Sequence, residues 1–306
     1  MNKLVDYLFN NQRFLCAAIW SYVGHLFSDE TYLKGRYRIL MGKRLNLNNP
    51  TLFSEKLQWL KLYNHRPEYT TIVDKMTVKD YVAGIIGSEY IIPTIGAWER
   101  PEDIEWDKLP QKFVLKTTHG GGSLGVVVCT DKSTFDKSSA IKKLKTSMKT
   151  DSYRIQMEWP YKNVHKRIIA EEYLEPDPET NDLSDYKFSC FNGKVTDVMV
   201  CYGRTSGNTK FYFFDKDWKL LPLNILGKNA PSDFTLPKPH CIDKMFELAS
   251  KLSTGIPYAR VDLYAVGNHP YFGEITFFPQ SGFDRNLLHE TEEWHGSLIK
   301  LPAKTI

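Results

Sequence analysis

The sequence offers few features that identify a protein class at first sight. Its five cysteines, at positions 16, 129, 190, 201 and 241, include no CxxC pair, which argues against a zinc knuckle or a disulfide framework. Lys and Arg number 40 against 36 Asp and Glu, and the resulting net charge of +4 is too small to indicate nucleic-acid binding without a clustered basic face. No Ser-His-Asp signature is visible. We therefore expect reduced thiols, as in a cytosolic protein, and no nucleic-acid partner.

Long hydrophobic runs are also missing. The most apolar stretch near the N-terminus, residues 14–27, is shorter than the roughly 20 residues that span a bilayer, and the residues before it do not have a signal-peptide profile. We expect a helix packed on the core, and the alternative is peripheral association of residues 1–27 with a membrane or partner surface. The expected location is cytoplasmic, with the inner face of the cell membrane as the alternative. Five apolar residues share one helical stripe here: Leu8, Leu15, Ile19, Tyr22 and Leu26.

The secondary-structure pattern changes near residue 90. Before it the chain is predicted to be mostly helical, with one helix starting at Asn49-Pro50 and another at Lys75. After it, short runs rich in β-branched and aromatic residues predict strands, and two helical stretches interrupt them. Because strands and helices do not alternate regularly, we predict an α+β fold with antiparallel sheets. The predicted strands are 91–92, 113–115, 126–129, 168–170, 186–191, 195–202, 211–214, 260–265 and 271–277, and the helices are 138–148 and 242–252.

A glycine-rich segment joins two of these predicted strands. Gly120, Gly122 and Gly125 match GxGxxG, but a dinucleotide-binding loop is followed by a helix, and here a strand follows. No Gly-Lys-Ser/Thr closes the segment, which excludes a Walker A loop, and in a protein kinase the lysine follows the loop whereas Lys116 precedes it. The pattern predicts a hairpin whose bare backbone covers phosphate oxygens, with Lys116 adding positive charge. The alternative is a glycine hairpin without a ligand.

Two further predicted strands carry charged residues at a spacing of two and are joined by a turn at 266–270. Arg260 and Asp262 share one face of the first strand, and Glu274 and Thr276 share one face of the second. If the register brings these faces together, the three oxygen-bearing side chains form a site suited to Mg²⁺ beside Arg260. Without an ion, we expect the two carboxylates to repel each other. The alternative is a polar face exposed to solvent.

Several segments occur together in an order that is typical of one enzyme family. They are 41–47, 49–50, 54–60, 74–75, 113–125, 171–174, 185–188 and 273–282. Taken together they resemble the ATP-grasp fold and, more narrowly, the TupA-like family of teichuronopeptide biosynthesis, found in gene clusters for cell-surface polysaccharides. The resemblance runs from about residue 30 to the end. It implies two α+β lobes with antiparallel sheets that clasp ATP: a helical region at 1–74, a central lobe at 75–172 and a catalytic lobe at 173–306.

The resemblance implies ATP-binding roles for individual residues. Lys75 and Lys116 would contact the phosphates, together with a flap formed by residues 120–125. Glu171 would accept a hydrogen bond from the adenine amino group, while Glu172 and Leu174 would offer backbone groups. For the ribose hydroxyls, Glu175 and Asp185 stay open as alternatives. The implied ATP-binding residues are Lys75, Lys116, Gly120, Gly121, Gly122, Ser123, Gly125, Glu171, Glu172, Leu174 and Asp185.

The resemblance also implies metal-binding and catalytic residues. Asp262 and Glu274 would bind Mg²⁺ together with Thr276, which stands where many ATP-grasp enzymes have Asn. A lysine would face the phosphates or the acyl phosphate, and arginines would stabilise the developing acyl phosphate because a guanidinium binds planar oxyanions with two hydrogen bonds. The implied catalytic residues are Arg260, Lys187 and Arg204.

The implied activity is ADP-forming carboxylate–amine ligation through an acyl phosphate. It would attach an amino acid to a uronic acid or peptide side chain of a cell-surface polysaccharide, with a glycan or sugar nucleotide as the second substrate. One alternative is a glycosyltransferase that uses the DxD at 215–217, although that segment favours a hairpin turn. Others are an ATP-dependent phosphotransferase and a non-catalytic ATP-binding protein. The His and Glu residues at 289–295 lack zinc spacing and are expected to be solvated.

Overall fold

The computed structural model describes residues 2–176, 183–203 and 209–305, and their side chains from residue 12 onward. Its helices are α1 (Asn2–Val23), α2 (Asp29–Met41), α3 (Phe53–Tyr63), α4 (Glu68–Val73), α5 (Val78–Ile86), α6 (Lys137–Met148), α7 (Ser152–Gln156), α8 (Ile225–Lys228), α9 (Ile242–Leu252) and α10 (His289–Leu298). Its strands are β1 (Thr94–Trp98), β2 (Phe113–Thr117), β3 (Val126–Cys129), β4 (Ile168–Glu172), β5 (Asp185–Phe191), β6 (Lys194–Tyr202), β7 (Lys210–Phe214), β8 (Leu220–Leu221), β9 (Ala259–Val266) and β10 (His269–Thr276).

The chain divides into two compact units, each built from separated segments. The first comprises Met1–His65, Tyr153–Trp159 and Phe278–Ile306, and the second comprises Arg66–Ser152 and Pro160–Phe277. The first unit is helical, and the second contains both sheets. The division into three consecutive regions along the chain, expected from the sequence, stays a prediction.

Both sheets of the second unit are antiparallel. The smaller has the strand order β1-β4-β2-β3, and the larger has the order β10-β9-β5-β6-β7-β8. The α+β class with antiparallel sheets is therefore confirmed. One predicted strand is misplaced: the run at 91–92 precedes the first strand, which begins at Thr94, because Pro93 interrupts it and offers only its carbonyl, to Glu172 N–H at 3.1 Å.

The core of the smaller sheet follows from alternation along β2. Phe113 and Leu115 are fully buried, while the residues between them are only partly covered, as expected for a strand with one face on the core. Helix α6 covers this face with Leu144, and its first turn is capped by Asp136, whose side chain accepts from Ser139 N–H at 3.0 Å. The sheet and this helix thus hold the loop between β2 and β3 at a fixed edge.

The larger sheet is covered by α9, whose apolar residues recur at helical spacing. Met245, Phe246, Ala249 and Leu252 are buried, and the Phe246 ring packs edge-on against Phe188 of β5, with centroids 5.0 Å apart. Every residue of β5 is buried. Burying each large apolar side chain contributes about 1.5–3 kcal/mol. This central strand therefore provides a rigid base for the charged side chains that it carries.

Two expectations about the first unit are wrong. Helix α3 begins at Phe53 rather than at residue 50, because Glu55 accepts hydrogen bonds from the N–H groups of Thr51 and Leu52, 3.1 and 3.2 Å away, and these cap its first turn. The segment at 289–295 is solvated only in part: it lies in α10, where His289, Glu290 and Glu293 are exposed but Glu292 and His295 are buried. Ser54 of α3 donates to Glu292 Oε2 from both its N–H and its hydroxyl, at 3.1 and 2.5 Å. One oxygen of this buried carboxylate therefore has two hydrogen-bond donors.

The expected packing of α1 through its apolar stripe is also wrong. Leu15, Ile19, Tyr22 and Leu26 are all more than half exposed, and the side chain of Leu8 lies outside the described residues. The helix is held by its other face, where Trp20 Nε1 donates to the carbonyl of Tyr32 in α2 at 2.9 Å. Among the described helices, none is both long enough and apolar enough to cross a membrane.

Candidate active site

The register of the β9–β10 hairpin brings the predicted metal ligands together. Glu274 lies opposite Asp262, and Thr276 lies opposite Arg260. A bulge at Gly273 produces this pairing. Without the extra residue, Glu274 would pair with residue 261, and its side chain would then lie on the other face of the sheet, away from Asp262. A Cβ atom at Gly273 would lie 3.0 Å from the carbonyl oxygen of Asp262, so glycine suits the close approach.

Arg260 links the three oxygen-bearing side chains of this hairpin. Its Nε and Nη2 each lie 2.7 Å from one oxygen of Asp262, a two-pronged contact of the kind that guanidinium groups form with carboxylates. The same Nη2 lies 3.4 Å from Glu274 Oε1 and 3.3 Å from Thr276 Oγ1. The guanidinium therefore already lies among the groups expected to bind Mg²⁺.

Two lysines complete this cluster. Lys187 of β5 lies opposite Asp262 in the sheet, forms an ion pair with it, and contacts Asp185 Oδ2 at 2.6 Å. Lys75 approaches from the turn before α5, not from a helix as expected. Its Nζ lies 3.2 Å from Glu274 Oε2. Three cations thus face three carboxylates, and the expected repulsion between the carboxylates of Asp262 and Glu274 is wrong because each is paired with cations.

Burial and these pairs set the protonation of the two carboxylates in opposite directions. Burial raises the pKa of Asp262, against the attraction of Arg260 and Lys187. Burial would also raise the pKa of Glu274, but Lys75 and Arg260 together lower it to about 2. Glu274, whose side chain is 31 % exposed, is therefore a carboxylate at neutral pH and is the more accessible of the two.

A second cluster surrounds Glu171 at the end of β4. Its two carboxylate oxygens are contacted by Lys79 at 2.6 Å and by Lys116 at 2.5 Å. Burial would raise the pKa of Glu171, but the two lysines lower it overall, so the buried side chain is ionised. Lys116 lies near the end of β2, beside the glycine loop, as the sequence pattern predicted.

Lys79 is a candidate site residue that was not predicted from the sequence. This residue lies in the first turn of α5, and its Nζ also donates to the carbonyl of Ile92 and to Thr94 Oγ1, both at 2.7 Å. Burial lowers its pKa, although Glu171 acts in the opposite direction. The available signal was its position four residues after Lys75, because in the helix predicted to start at Lys75 the two lysines would lie one turn apart.

The glycine segment forms a hairpin between β2 and β3, so the predicted strand–loop–strand order is confirmed. Thr117 N–H donates to the carbonyl of Gly125 at 3.0 Å and closes the base of the loop. A Cβ atom at Gly125 would lie 2.0 Å from Thr117 Oγ1, whereas one at Gly121 would meet nothing within 4 Å. Gly121, Gly122 and Ser123 are exposed, and Gly122 has a φ of +59°. The flap thus has a packed base and an open tip.

The flap and the acidic hairpin meet at one lysine. Besides its contact with Glu274, Lys75 Nζ donates to the carbonyl of Gly120 at 2.7 Å, and Lys75 N–H donates to the carbonyl of Thr118 at 3.0 Å. A hydrogen bond and an ion pair from the same ammonium therefore join the loop expected to cover phosphates to the side chains expected to hold the metal.

The remaining candidate residues lie in less constrained surroundings. Glu172 is exposed, and Leu174 follows the end of β4. Glu175 pairs with Lys112 at the surface at 2.6 Å, whereas Asp185 is buried and pairs with Lys187. Arg204 lies outside the described residues. The roles assigned to all of these residues stay predictions.

The donor set of the hairpin fits Mg²⁺. Among the described residues no group of three or more His, Cys, Asp or Glu side chains could hold a metal by itself. Asp262, Glu274 and Thr276 instead offer two carboxylates and a hydroxyl, and Mg²⁺ is usually held by one or two carboxylates together with phosphates and water. Because Arg260 and Lys75 contact these oxygens, the ion would have to take their place.

The DxD segment forms a turn between β7 and β8, as the turn interpretation predicted. Asp215 Oδ1 accepts from Lys219 N–H at 2.8 Å, and Trp218 has a φ of +64°. The first carboxylate of the DxD is therefore engaged in holding its own turn.

The family model described as "TupA-like ATPgrasp" matches residues 55–300. The chain belongs to the TupA-like ATP-grasp family. Membership confirms the family and the ATP-grasp fold class predicted from the sequence. No curated protein matches the chain.

Solved structures with a similar fold include three ligases or synthetases. A D-alanine–D-alanine ligase from Bacillus anthracis is 18 % identical over 75 % of this chain and 64 % of its own, with a TM-score of 0.41. One from Helicobacter pylori is 15 % identical over 83 % and 68 %, with a TM-score of 0.44. D-cycloserine synthetase DcsG is 14 % identical over 74 % and 69 %, with a TM-score of 0.42. The chain spans under two thirds of the first of these proteins, and at such TM-scores none of them informs the site.

Proposed function

We propose that this member of the TupA-like ATP-grasp family joins a carboxylate to an amine through an acyl phosphate, with ATP and Mg²⁺. One observation carries the proposal: Lys75, Lys187 and Arg260 converge on the carboxylates of Asp262 and Glu274 beside a glycine hairpin. Phosphoryl transfer needs positive charge around the transferred group and a backbone that can approach it closely. The cations neutralise the two carboxylates, but the open tip of the hairpin has no evident structural purpose without such a ligand.

Each cluster has a role in this proposal. Asp262, Glu274 and Thr276 would hold Mg²⁺, which when bound supplies positive charge to the phosphate oxygens. Lys75, Lys116 and the flap from Gly120 to Gly125 would contact the phosphates. Two structural features support these roles: Glu274 is accessible and ionised, and the tip of the flap is exposed.

The nucleotide base and the reacting acid would be bound by other residues. Glu171, with Lys116 beside it, would accept from adenine, and the backbone at Glu172 and Leu174 would complete that contact. Lys187 and Arg260, and Arg204 outside the described residues, would stabilise the charge on the acyl phosphate. Asp185, which contacts Lys187, is the proposed ribose partner.

The proposed reaction has two steps. A carboxylate oxygen of one substrate bonds to the γ-phosphorus, while the bond from that phosphorus to the bridging oxygen breaks and ADP leaves. The amine nitrogen then bonds to the acyl carbon, phosphate leaves with the C–O electron pair, and the ammonium proton is lost to solvent. The protein contributes positioning and charge, so neither step needs a nucleophilic side chain.

The proposed substrates are an amino acid and a uronic-acid-containing glycan, sugar nucleotide or peptide side chain of a capsular polysaccharide. The support is the family alone, because TupA-like proteins are found in gene clusters for cell-surface polysaccharides. A cytoplasmic location, at or near the inner face of the cell membrane, follows in the same proposal because ATP is available there.

Mass spectrometry of the surface polysaccharide tests this proposal. Cells that lack the protein should lose an amide-linked amino acid, the wild-type protein should restore it, and Glu274→Gln should not. An unchanged polysaccharide contradicts the proposal. Loss of a sugar would instead support a glycosyltransferase, and loss of a phosphate ester would support a phosphotransferase.

A further inference from the structure

Helix α1 and the turn after it present an apolar face to solvent. The stretch from residue 14 to residue 27 contains no Asp, Glu, Lys or Arg. Contiguous exposed apolar patches are uncommon on monomeric soluble proteins and usually mark an interaction surface. Six large side chains of this stretch are at least half exposed: Phe14, Leu15, Ile19, Tyr22, Leu26 and Phe27.

The other face of α1 already has its partner. Ala17 is buried, Trp20 stacks on Tyr32 of α2 with ring centroids 6.4 Å apart, and Arg36 of α2 donates to Ser21 Oγ at 2.7 Å. The helix is therefore anchored by its inner face. The apolar outer face is not needed to hold α1 in place and remains available to something outside the unit.

Charge selects the kind of surface that can cover this face. Residues 1–50 contain seven Lys and Arg against three Asp and Glu, so they carry the whole net charge of +4, while residues 51–306 are neutral overall. Arg38 and Arg44 in this segment are exposed. A second copy of the chain would bring like charge against like charge. A surface of anionic lipid headgroups attracts such a segment and also accepts apolar side chains.

We propose that α1 lies flat on an anionic lipid bilayer, with its outer face at the boundary between headgroups and acyl chains. Exposed basic residues of this segment, such as Arg38 and Arg44, would face the lipid phosphates. Tyr22, which is 84 % exposed, has the apolar ring and polar tip that suit this boundary. This inference rests on the surface of α1 and not on the proposed ligase activity.

Sedimentation with lipid vesicles tests the inference. The full-length protein should bind vesicles that contain phosphatidylglycerol about tenfold more tightly than vesicles of phosphatidylcholine alone, and added salt should weaken the binding. Ile19→Glu and Leu26→Glu should each lower binding about tenfold, because they place a charge at the apolar boundary. Ile225→Glu is the matched control, since Ile225 is an isoleucine exposed to a similar degree in α8 of the other unit.

Three results would overturn it. One is wild-type protein that binds neither kind of vesicle, and another is binding that Ile19→Glu and Leu26→Glu leave at the level of Ile225→Glu. The third is equal binding to both lipid compositions, which would show that attraction to anionic headgroups does not contribute to binding. Light scattering that finds a dimer, separated by Ile19→Glu and without affinity for vesicles, would assign the face to a second copy instead.

Discussion

Lys75 and Glu274 form an ion pair across the candidate site, with Nζ 3.2 Å from Oε2, and the same ammonium donates to the carbonyl of Gly120 in the flap. The pair couples the loop expected to cover phosphates to a side chain expected to bind Mg²⁺. An ammonium in this position can exchange its carboxylate partner for a phosphate when the metal takes over Glu274.

Lys75→Met should therefore weaken ATP binding more than the loss of an ordinary surface lysine. The expected loss is about tenfold to a hundredfold, because a hydrogen bond to a charged group contributes roughly 1.5–3 kcal/mol. Calorimetry with Mg-ATP measures it. The control is Lys108→Met, since Lys108 is 75 % exposed and pairs with Glu105 at the surface. Equal affinities in the two variants would remove Lys75 from the site.

Lys79 is expected to stabilise the fold by neutralising Glu171. Lys79→Met should lower the free energy of unfolding by about 1–3 kcal/mol, because one oxygen of the buried Glu171 carboxylate and two further oxygens lose a donor. Urea denaturation measures this difference. Adding Glu171→Gln should recover part of the lost stability, since a neutral amide needs no cation. If the effects of the two substitutions on the free energy of unfolding simply add, Lys79 and Glu171 do not stabilise the fold as a pair.

The two ends of the flap should respond differently to the same substitution. Gly125→Ala should destabilise the hairpin and weaken ATP binding, because the new methyl group would lie 2.0 Å from Thr117 Oγ1. Gly121→Ala meets nothing within 4 Å and should leave the melting temperature almost unchanged. Thermal denaturation of both variants is the measurement. If Gly125→Ala melts like the wild type, the base of the flap is not packed as described.

Much of this architecture follows from local sequence pattern. The glycine hairpin was predictable because a strand, rather than a helix, follows Gly125, and the DxD turn because Asp215 can accept from its own turn. These are interactions between residues near each other in the chain, and their sequence signals are correspondingly direct.

Other features depend on contacts that no local pattern encodes. The pairing of Asp262 with Glu274 requires a one-residue bulge at Gly273, and an extra residue leaves no mark in the alternation of the strand. The role of Lys79 depends on the separate strand that carries Glu171. The stripe on α1 was visible, but periodicity cannot tell which side of a helix finds a partner, and Trp20 anchors the opposite one.

Lys61 should make stability depend on pH. It is 2 % exposed and donates to Ser281 O and Oγ, both at 2.8 Å, and burial lowers its pKa to about 7 against the attraction of Glu158. In the unfolded chain a lysine has a pKa near 10.4, so above pH 7 the unfolded state binds more protons than the folded state. Burying the charged Lys61 side chain therefore destabilises the fold below pH 7, and the free energy of unfolding increases as the pH rises above 7.

Unfolding by urea at pH 7.0 and at about pH 8.5 checks this sign. The wild-type free energy of unfolding should rise with pH by up to about 1.4 kcal/mol per unit relative to Lys61→Met, which has no titrating group at this position. Parallel pH profiles in the two proteins would show that the ammonium is not held at a lowered pKa.

The central claim is that the β9–β10 hairpin holds the Mg²⁺ that accompanies ATP, and one measurement tests it most directly: the ATP affinity with and without Mg²⁺, determined by calorimetry for wild type, Glu274→Gln and Asp217→Asn. Asp217 belongs to the rival DxD and is the matched control. We expect Mg²⁺ to strengthen ATP binding in the wild type and in Asp217→Asn, but not in Glu274→Gln. A Mg²⁺ dependence that survives in Glu274→Gln and disappears in Asp217→Asn would contradict the account.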